Sequence, residues 1–377
     1  MSKQYNILWL DDKFETLQNI RRAAKTEGII LTPFTSFEEG FEHLKANISK
    51  YDGILLDALF YESKDQTAGS EDSKGLNKAI DKINELKYKK VFPLFVLSGQ
   101  TSFTNQKHET LTSRNIRCYL KGKSQDLQEL FKDIKEQADK LLDTQLKHKH
   151  SKSFAACSEA YIGESTGNDL LNILKKVESD NTDTDLFNST RKIIEDLFKA
   201  LNRHKLLPDA FVENSVSLTP TSKFLAGKEA LGYTLKEESK LPLSICDELY
   251  FVLHIVQSGS HSSDLTARLK LQNTPYLTNS TINIMLDILV WFKNHIDSNP
   301  TKENWTDSNT YSHQEWISGT VQSCQAGLKF ITSGSHTEVL LQNNIVTKYN
   351  LKDGNNIEIQ KEHPKSTNIT KVRKVRS

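Results

Sequence analysis

The chain has 377 residues, too many for one ordinary hydrophobic core, and about two or three domains are expected. Its 49 Lys and Arg balance 48 Asp and Glu, so the whole molecule has no net field that would attract nucleic acid or a membrane. The four cysteines lie far apart without paired spacing, which argues against a zinc site and a disulfide framework. The first residues enter a strand and no apolar run approaches the roughly 18 residues of a membrane span, so we expect a cytoplasmic protein without signal peptide or membrane partner.

Residues 1–142 alternate short apolar runs with amphipathic stretches. The stretch 14–25, for example, places Leu17, Ile20 and Ala24 at helical spacing. This alternation is typical of an α/β fold with a doubly wound parallel sheet, here of five strands. The predicted strands are 5–10, 29–34, 53–56, 91–97 and 116–120.

Polar residues stand where these predicted strands end. Asp11 and Asp12 end the first strand, Asp57 the third, Ser98 the fourth and Lys121 the fifth. Right-handed crossovers gather such ends at one edge of the sheet. Three carboxylates at one edge repel each other, and a divalent cation relieves the repulsion; oxygen ligands of this kind suit Mg²⁺. The sequence therefore predicts a magnesium site in which Asp57 is the reactive residue.

The order of acid pair, acceptor Asp, hydroxyl and Lys within residues 1–142 resembles the receiver domain of two-component response regulators. The resemblance implies that Asp57 accepts a phosphoryl group from a cognate histidine kinase. It also implies that Ser98 and Lys121 bind phosphoryl oxygens. The implied Mg²⁺ ligands are Asp11, Asp12, Asp57 and the carbonyl of Leu59.

One departure from the receiver pattern concerns its aromatic switch residue. In the family this residue lies three positions before the Lys, where this chain has Cys118. Tyr119 stands one position nearer to Lys121 and is the candidate switch residue. The displacement indicates an altered coupling between the phosphoryl site and the switch.

Residues 143–154 are basic and polar, with no apolar face to bury, which is typical of a linker or helix extension. Residues 155–298 lack strand patterns and show helical periodicity, so we expect an all-α bundle. The predicted helices are 169–177, 186–204, 242–257 and 279–297.

Two segments of this region, 189–208 and 251–261, resemble helical bundles of the HEPN superfamily. Catalytic members use an Arg followed by a His as an RNase pair. His261 stands at the His position, but His254 stands where the Arg is expected. Without a guanidinium to hold phosphate, RNase activity is not expected, and both histidines fit satisfied helix positions in a non-catalytic bundle. Such bundles commonly dimerise, which implies a homodimer.

After a polar linker at 299–312, strand patterns return in residues 313–377 and predict a small β-barrel. The pattern resembles a cold-shock-type OB barrel, a fold that binds single strands by stacking bases on exposed aromatics. Phe330 is the candidate stacking residue. Residues 311–377 contain nine Lys or Arg and five acids, which leaves RNA or single-stranded DNA as a candidate partner beside a purely structural or protein-contact role. The predicted strands are 316–321, 328–332, 337–341, 356–360 and 369–375.

The leading hypothesis is a response regulator of a two-component phosphorelay. Phosphorylation of Asp57 would control an output module that does not read DNA sequence, since the second half contains no helix-turn-helix motif. Two alternatives stay open: a receiver-gated HEPN-type RNase effector in phage defence or stress, and a pseudo-receiver scaffold that binds partners without phosphorylation. No enzyme activity is expected beyond autophosphotransfer and autodephosphorylation of the receiver.

Overall fold

The computed structural model describes most of the chain and divides it into two compact units. The first unit comprises residues 1–159 and 163–183, and the second comprises residues 160–162 and 184–377. Among the described helices, none is both long and apolar enough to cross a bilayer. The described residues are 3–59, 73–99, 111, 114, 116–179, 185–236, 241–261, 274–307, 316–334, 337–361 and 369–374.

A five-stranded parallel sheet forms the centre of the first unit and confirms the predicted sheet. The strands pair in the order β2-β1-β3-β4-β5, which is the order of one class of doubly wound folds. The central strand β3 is buried at every position, as expected for a strand covered on both faces. The strands are β1 (Tyr5–Leu10), β2 (Ile29–Phe34), β3 (Gly53–Asp57), β4 (Leu94–Ser98) and β5 (Cys118–Leu120).

Helices cover both faces of this sheet because successive strand residues point to opposite sides. Ile7 and Trp9 of β1 pack in one core with residues of helices α1 (Gln18–Thr26) and α4 (Ser124–Ala138). Leu8 and Leu10 of the same strand pack in a second core with residues of α2 (Phe37–Ala46) and α3 (Ser73–Asn84). The Ser36 side chain accepts the backbone N–H of Glu39 and caps α2.

The predicted linker at 143–154 is helical and belongs to the first unit. It forms α5 (Leu142–Lys149) and most of α6 (Ser151–Ala156), and α7 (Glu164–Glu178) follows in the same unit. Asp52, buried just before β3, accepts the backbone N–H of Asn6 at 2.8 Å and the Thr144 hydroxyl at 2.9 Å. Hydrogen bonds to polar side chains hold α5, and hydrophobic periodicity could not reveal such contacts.

A second polar contact of α5 is an ion-pair cluster around Asp143. Its carboxylate lies 3.1 Å from the Lys90 ammonium and 2.9 Å from that of Lys175 in α7. Lys90 and Asp143 are both buried. Burial and the neighbouring Lys147 lower the pKa of Lys90, while Asp143 acts in the opposite sense. The helices 142–178 are thus fixed by buried charges near the amino ends of β3 and β4.

The second unit begins with a helical region. Helices α8 (Asp185–Arg203), α10 (Leu243–His261) and α11 (Tyr276–Asp297) pack against one another, and α9 (Leu218–Leu225) packs on α10. A short antiparallel pair also occurs, between β6 (Tyr233–Leu235) and β7 (Trp305–Asp307). Strand β7 falls in the predicted linker 299–312, and three-residue strands are too short to give a periodic signal.

A separate antiparallel sheet contains the five strands predicted for the C-terminal region. The order is β10-β9-β8-β11-β12, so the fourth strand returns to lie beside the first, as in a Greek key. Gly319 of β8 allows the close approach of β9, because a side chain there would meet the Ile331 carbonyl and the Phe330 ring. A short helix, α12 (Asn343–Tyr349), precedes β11 and was not predicted. The strands are β8 (Ile317–Cys324), β9 (Gly327–Thr332), β10 (Glu338–Leu340), β11 (Asn356–Lys361) and β12 (Ile369–Lys374).

Candidate functional site

Three carboxylates meet at the carboxyl edge of the parallel sheet, as the sequence predicts. Leu10 of β1 pairs with Leu56 of β3, so the following residues, Asp11 and Asp57, come to lie side by side. Oxygens from Asp11, Asp12 and Asp57 lie within 4.8 Å of one another. Asp11 and Asp57 are buried.

Lys121 joins this group from the edge strand β5. Its ammonium nitrogen lies 2.7 Å from an Asp57 oxygen and 2.7 Å from an Asp11 oxygen. Burial alone lowers the pKa of Lys121, but the two carboxylates outweigh burial and hold this pKa above its usual value. The ammonium is therefore a fixed positive charge between the two acids.

The pKa of Asp57 is raised even though the Lys121 ammonium lies beside it. Burial and the nearby Asp11 carboxylate raise the pKa of Asp57 to about 6, against the opposing effect of Lys121 and of the Ala58 N–H. Lys13 lies 3.9 Å from an Asp12 oxygen, but its side chain is largely exposed and solvent screens its charge. Among the described residues, the three carboxylates outnumber the ammonium that lies between Asp11 and Asp57.

This donor set is compatible with Mg²⁺. The three acids supply oxygen ligands only, they converge within reach of one ion, and a divalent cation would offset their repulsion. The Asp11 carboxylate also accepts the Lys13 backbone N–H at 2.9 Å, which fixes its orientation. Leu59, whose carbonyl is the fourth predicted ligand, is half-buried two residues after Asp57.

Ser98 and Lys121 lie where the strand pattern predicts them. Ser98 is the last residue of β4 and is buried, and its carbonyl accepts the Lys121 N–H at 2.8 Å. This bond fixes the start of the turn that carries the Lys121 side chain towards Asp57. The segment 60–72, which follows β3, and the segment 100–110, which follows β4, lie outside the described residues.

Asp126 is a positioning residue that the sequence analysis missed. Its carboxylate accepts the backbone N–H of Leu120 at 3.0 Å, just before Lys121. An acid in the first turn of α4 was the available signal, because acids favour helix N-termini, but this signal does not tell which strand the acid contacts.

Tyr119 faces away from the position at which the receiver pattern has its aromatic residue. Tyr119 packs in the core with α1 and α4, whereas Cys118 packs in the opposite core with α2 and α3. The Tyr119 hydroxyl donates a hydrogen bond to Asp133 of α4, and burial together with this bond raises the pKa of Tyr119. Tyr119 therefore does not replace the aromatic residue expected at position 118, because a one-residue shift along a strand moves a side chain to the other face.

The two histidines of the proposed RNase pair both lie in α10. His254 is exposed and stacks on Tyr250, with ring centroids 6.2 Å apart. The side chain of His261 lies outside the described residues. His254 is thus a surface residue within α10 and not at a helix end.

Phe330 cannot stack on a base. Its side chain is 0% exposed and packs with Val321 and Ile357 in the core of the antiparallel sheet. The sequence expectation failed because a hydrophobic residue on a strand can face either side, and Phe330 faces inward. Trp316 is half-buried, and the Arg373 guanidinium lies over its ring, 4.2 Å from the centroid.

Several Lys and Arg side chains of the C-terminal antiparallel sheet bind acids or backbone carbonyls of the same unit. Lys329 pairs with Glu338 at 2.7 Å and Arg373 pairs with Glu358 at 2.5 Å. Lys374 donates to the Asn350 carbonyl at 2.9 Å. Three of the nine cations in residues 311–377 thus have a partner within the chain, with which a phosphate would have to compete.

No family model and no curated protein matches the chain. Solved receiver domains are similar in fold to its N-terminal part. A receiver domain protein from Clostridium thermocellum is 18% identical, with 36% of this chain and 95% of that chain covered and a TM-score of 0.27. The receiver domain of Francisella response regulator 1452 is 21% identical, with 36% and 98% covered and a TM-score of 0.27. A response regulator receiver protein from Burkholderia phymatum is 22% identical, with 33% and 87% covered and a TM-score of 0.24.

Proposed function

We propose that this chain is a response regulator whose first unit is phosphorylated on Asp57 by a histidine kinase. The observation that carries the proposal is the meeting of Asp11, Asp12 and Asp57 within 4.8 Å, with the Lys121 ammonium 2.7 Å from Asp57. A structural role alone does not call for three carboxylates at one edge of a sheet, since their repulsion opposes folding. A site that binds Mg²⁺ and receives a phosphoryl group needs such a cluster of carboxylates.

The residues have separate roles in this reaction. A carboxylate oxygen of Asp57 attacks phosphorus, the P–N bond of the kinase phosphohistidine breaks, and the imidazole leaves. The Lys121 ammonium and the Ser98 hydroxyl bind phosphoryl oxygens. Asp11, Asp12, Asp57 and the Leu59 carbonyl would hold Mg²⁺, which supplies positive charge against the acids and the transferred group.

Incubation with phosphoramidate and Mg²⁺ tests the proposal. We expect intact-protein mass spectrometry to show one added phosphoryl group, and none in Asp57→Ala or in the presence of EDTA. Asp52→Asn is the matched control, because Asp52 is a buried acid just before β3, at the end away from Asp57, and the variant should leave labelling unchanged. A label that persists in Asp57→Ala, or its absence from a folded wild-type protein, would contradict the assignment.

We infer that the second unit is the output, and that self-association is its mode of action in preference to contact with RNA. The pairing of Lys329 with Glu338 and of Arg373 with Glu358 supports this choice, as does the burial of Phe330. The Greek-key order of the antiparallel sheet supports the proposal that it forms an OB-type barrel. An OB-type barrel in this role is a protein-contact module.

A further inference from the structure

The second unit contains a cavity of about 350 Å³ where α8 and α11 end beside β6 and β7. We propose that this cavity binds a small neutral organic molecule with an apolar, ring-containing body and one hydrogen-bonding group. Concave sites with a mainly apolar lining and a few polar groups are where proteins bind small molecules, and this cavity has such a lining. Most of the apolar wall consists of Leu201, Leu206, Leu225, Leu235, Leu241 and Trp305.

The charge of the lining determines the class of ligand. The polar lining comes from uncharged side chains, including Asn304, which is buried, and none of the described lining residues is an acid, a Lys or an Arg. A charged ligand would enter this wall without a counter-charge and would lose its hydration. The wall therefore selects a neutral molecule.

The volume sets the size of the ligand. A cavity of about 150 Å³ lined by aliphatic side chains holds one benzene molecule. The cavity described here, at about 350 Å³, is a little more than twice as large and is near the lower limit for small-molecule pockets. A fused two-ring molecule such as 2-naphthol fits this size.

His295 supplies a hydrogen-bonding group on the wall. Its ring stacks on Trp291 of the same helix, with centroids 4.8 Å apart and an interplanar angle of 14°, so its orientation is fixed. Burial lowers the pKa of His295, which keeps the imidazole neutral at neutral pH. A neutral imidazole can accept a hydrogen bond from a ligand hydroxyl.

The backbone around the cavity is held in shape before any ligand binds. Lys205, Asn299 and Glu303 have left-handed backbone angles, with φ of 61°, 50° and 52°. The Glu303 N–H donates to the Lys205 carbonyl at 2.8 Å and joins the turn after α8 to the turn after α11. Non-glycine residues persist in this conformation where the surrounding structure enforces it, and such positions cluster at ligand sites. The wall is therefore largely preformed.

Calorimetric titration of the full-length protein with 2-naphthol tests the proposal. We expect one site per chain with a dissociation constant on the order of 100 µM, as suits a ligand of this size. Leu235→Trp, which places an indole in the cavity, should weaken binding at least about tenfold. Leu243→Trp is the matched control, because Leu243 is 77% exposed and outside the cavity wall.

A second pair of variants tests the polar contact without filling the cavity. His295→Phe keeps a ring that can stack on Trp291 but removes the nitrogen, so binding of 2-naphthol should weaken by about threefold to tenfold. His254→Phe, at an exposed histidine of α10, should leave binding unchanged. The proposal is overturned if wild-type protein shows no saturable binding. It is overturned equally if binding is unaffected by both Leu235→Trp and His295→Phe, with circular dichroism confirming that the variants fold.

Discussion

The proposed phosphoryl site brings together carboxylates that repel each other in the metal-free protein. Asp57 is buried beside Asp11, and among the described residues Lys121 lies between them as a counter-charge. Burial and the Asp11 carboxylate raise the pKa of Asp57 to about 6, so the charged form of Asp57 is disfavoured in this arrangement. A bound cation would offset this repulsion, so we expect the metal-free site to lower the stability of the first unit.

We expect Asp57→Asn to raise the free energy of unfolding of the metal-free protein by on the order of 1–2 kcal/mol at pH 8, because it removes a buried charge that faces Asp11. Lys121 keeps a partner in this variant, since it also pairs with Asp11. Urea unfolding in EDTA measures the change. Asp52→Asn is the control: Asp52 accepts two hydrogen bonds, and losing one acceptor should lower stability by about 1 kcal/mol. A stabilisation of the same size in both variants would contradict this account.

Among the elements, α5 and α7 depend on charges that are buried. Asp143 lies between Lys90 and Lys175, and the exposed pair of Lys149 with Glu178 also joins these helices. Coulombic attraction is strong only where water is excluded, so the two sets of contacts should differ in their effect on stability.

Asp143→Ala should lower the free energy of unfolding by about 3 kcal/mol at pH 7, because it leaves Lys90 buried without its carboxylate. Glu178→Ala should change the same quantity by at most about 1 kcal/mol. Burial alone raises the pKa of Asp143, but Lys90 and Lys175 outweigh it and hold this pKa below its usual value. The ion pair thus stabilises the protein fully above about pH 4, and this contribution is lost as the pH falls through the lowered pKa of Asp143. The free energies of unfolding of wild type and Asp143→Ala should therefore converge in acid. If Asp143→Ala and Glu178→Ala lowered the free energy of unfolding equally at pH 7, burial would not explain the strength of the Asp143 ion pairs.

The sequence predicted the features that follow from hydrophobic periodicity and from the order of the strands. It missed features that depend on contacts between distant parts of the chain. Asp11, Asp57 and Lys121 could be predicted to meet because parallel strands end at one edge. Helix α5 could not be separated from a linker, since its contacts with Asp52 and Lys90 are polar and come from distant parts of the chain. The orientation of Phe330 depends on which face of its sheet is covered, which a short apolar run does not reveal.

In the whole molecule, the proposed input and the proposed output belong to different compact units. Asp57 belongs to the first, while α10 and the antiparallel sheet belong to the second. The proposed response regulator would shift between two conformations when Asp57 is phosphorylated. A test of this shift must therefore measure a property of the second unit.

Sedimentation of the full chain provides such an observable. With phosphoramidate and Mg²⁺ we expect the mass to rise from one chain, 42.9 kDa, towards twice that value, because self-association is the proposed output. Asp57→Ala should stay at its starting mass under the same conditions. A wild-type mass that does not change, when mass spectrometry shows the added phosphoryl group, would exclude self-association as the output while leaving phosphotransfer intact.

The strand β3 has a mechanical consequence. It carries Asp57 at one end and follows Asp52 at the other, about 17 Å apart for an extended chain, and every residue from Gly53 to Asp57 is buried. β3 is hydrogen-bonded to β1 on one side and to β4 on the other, and both of its faces are buried. We expect such a strand to deform little along its axis. We therefore expect a displacement of Asp57 along the strand axis to bear on Asp52, whose carboxylate accepts the Thr144 hydroxyl of α5.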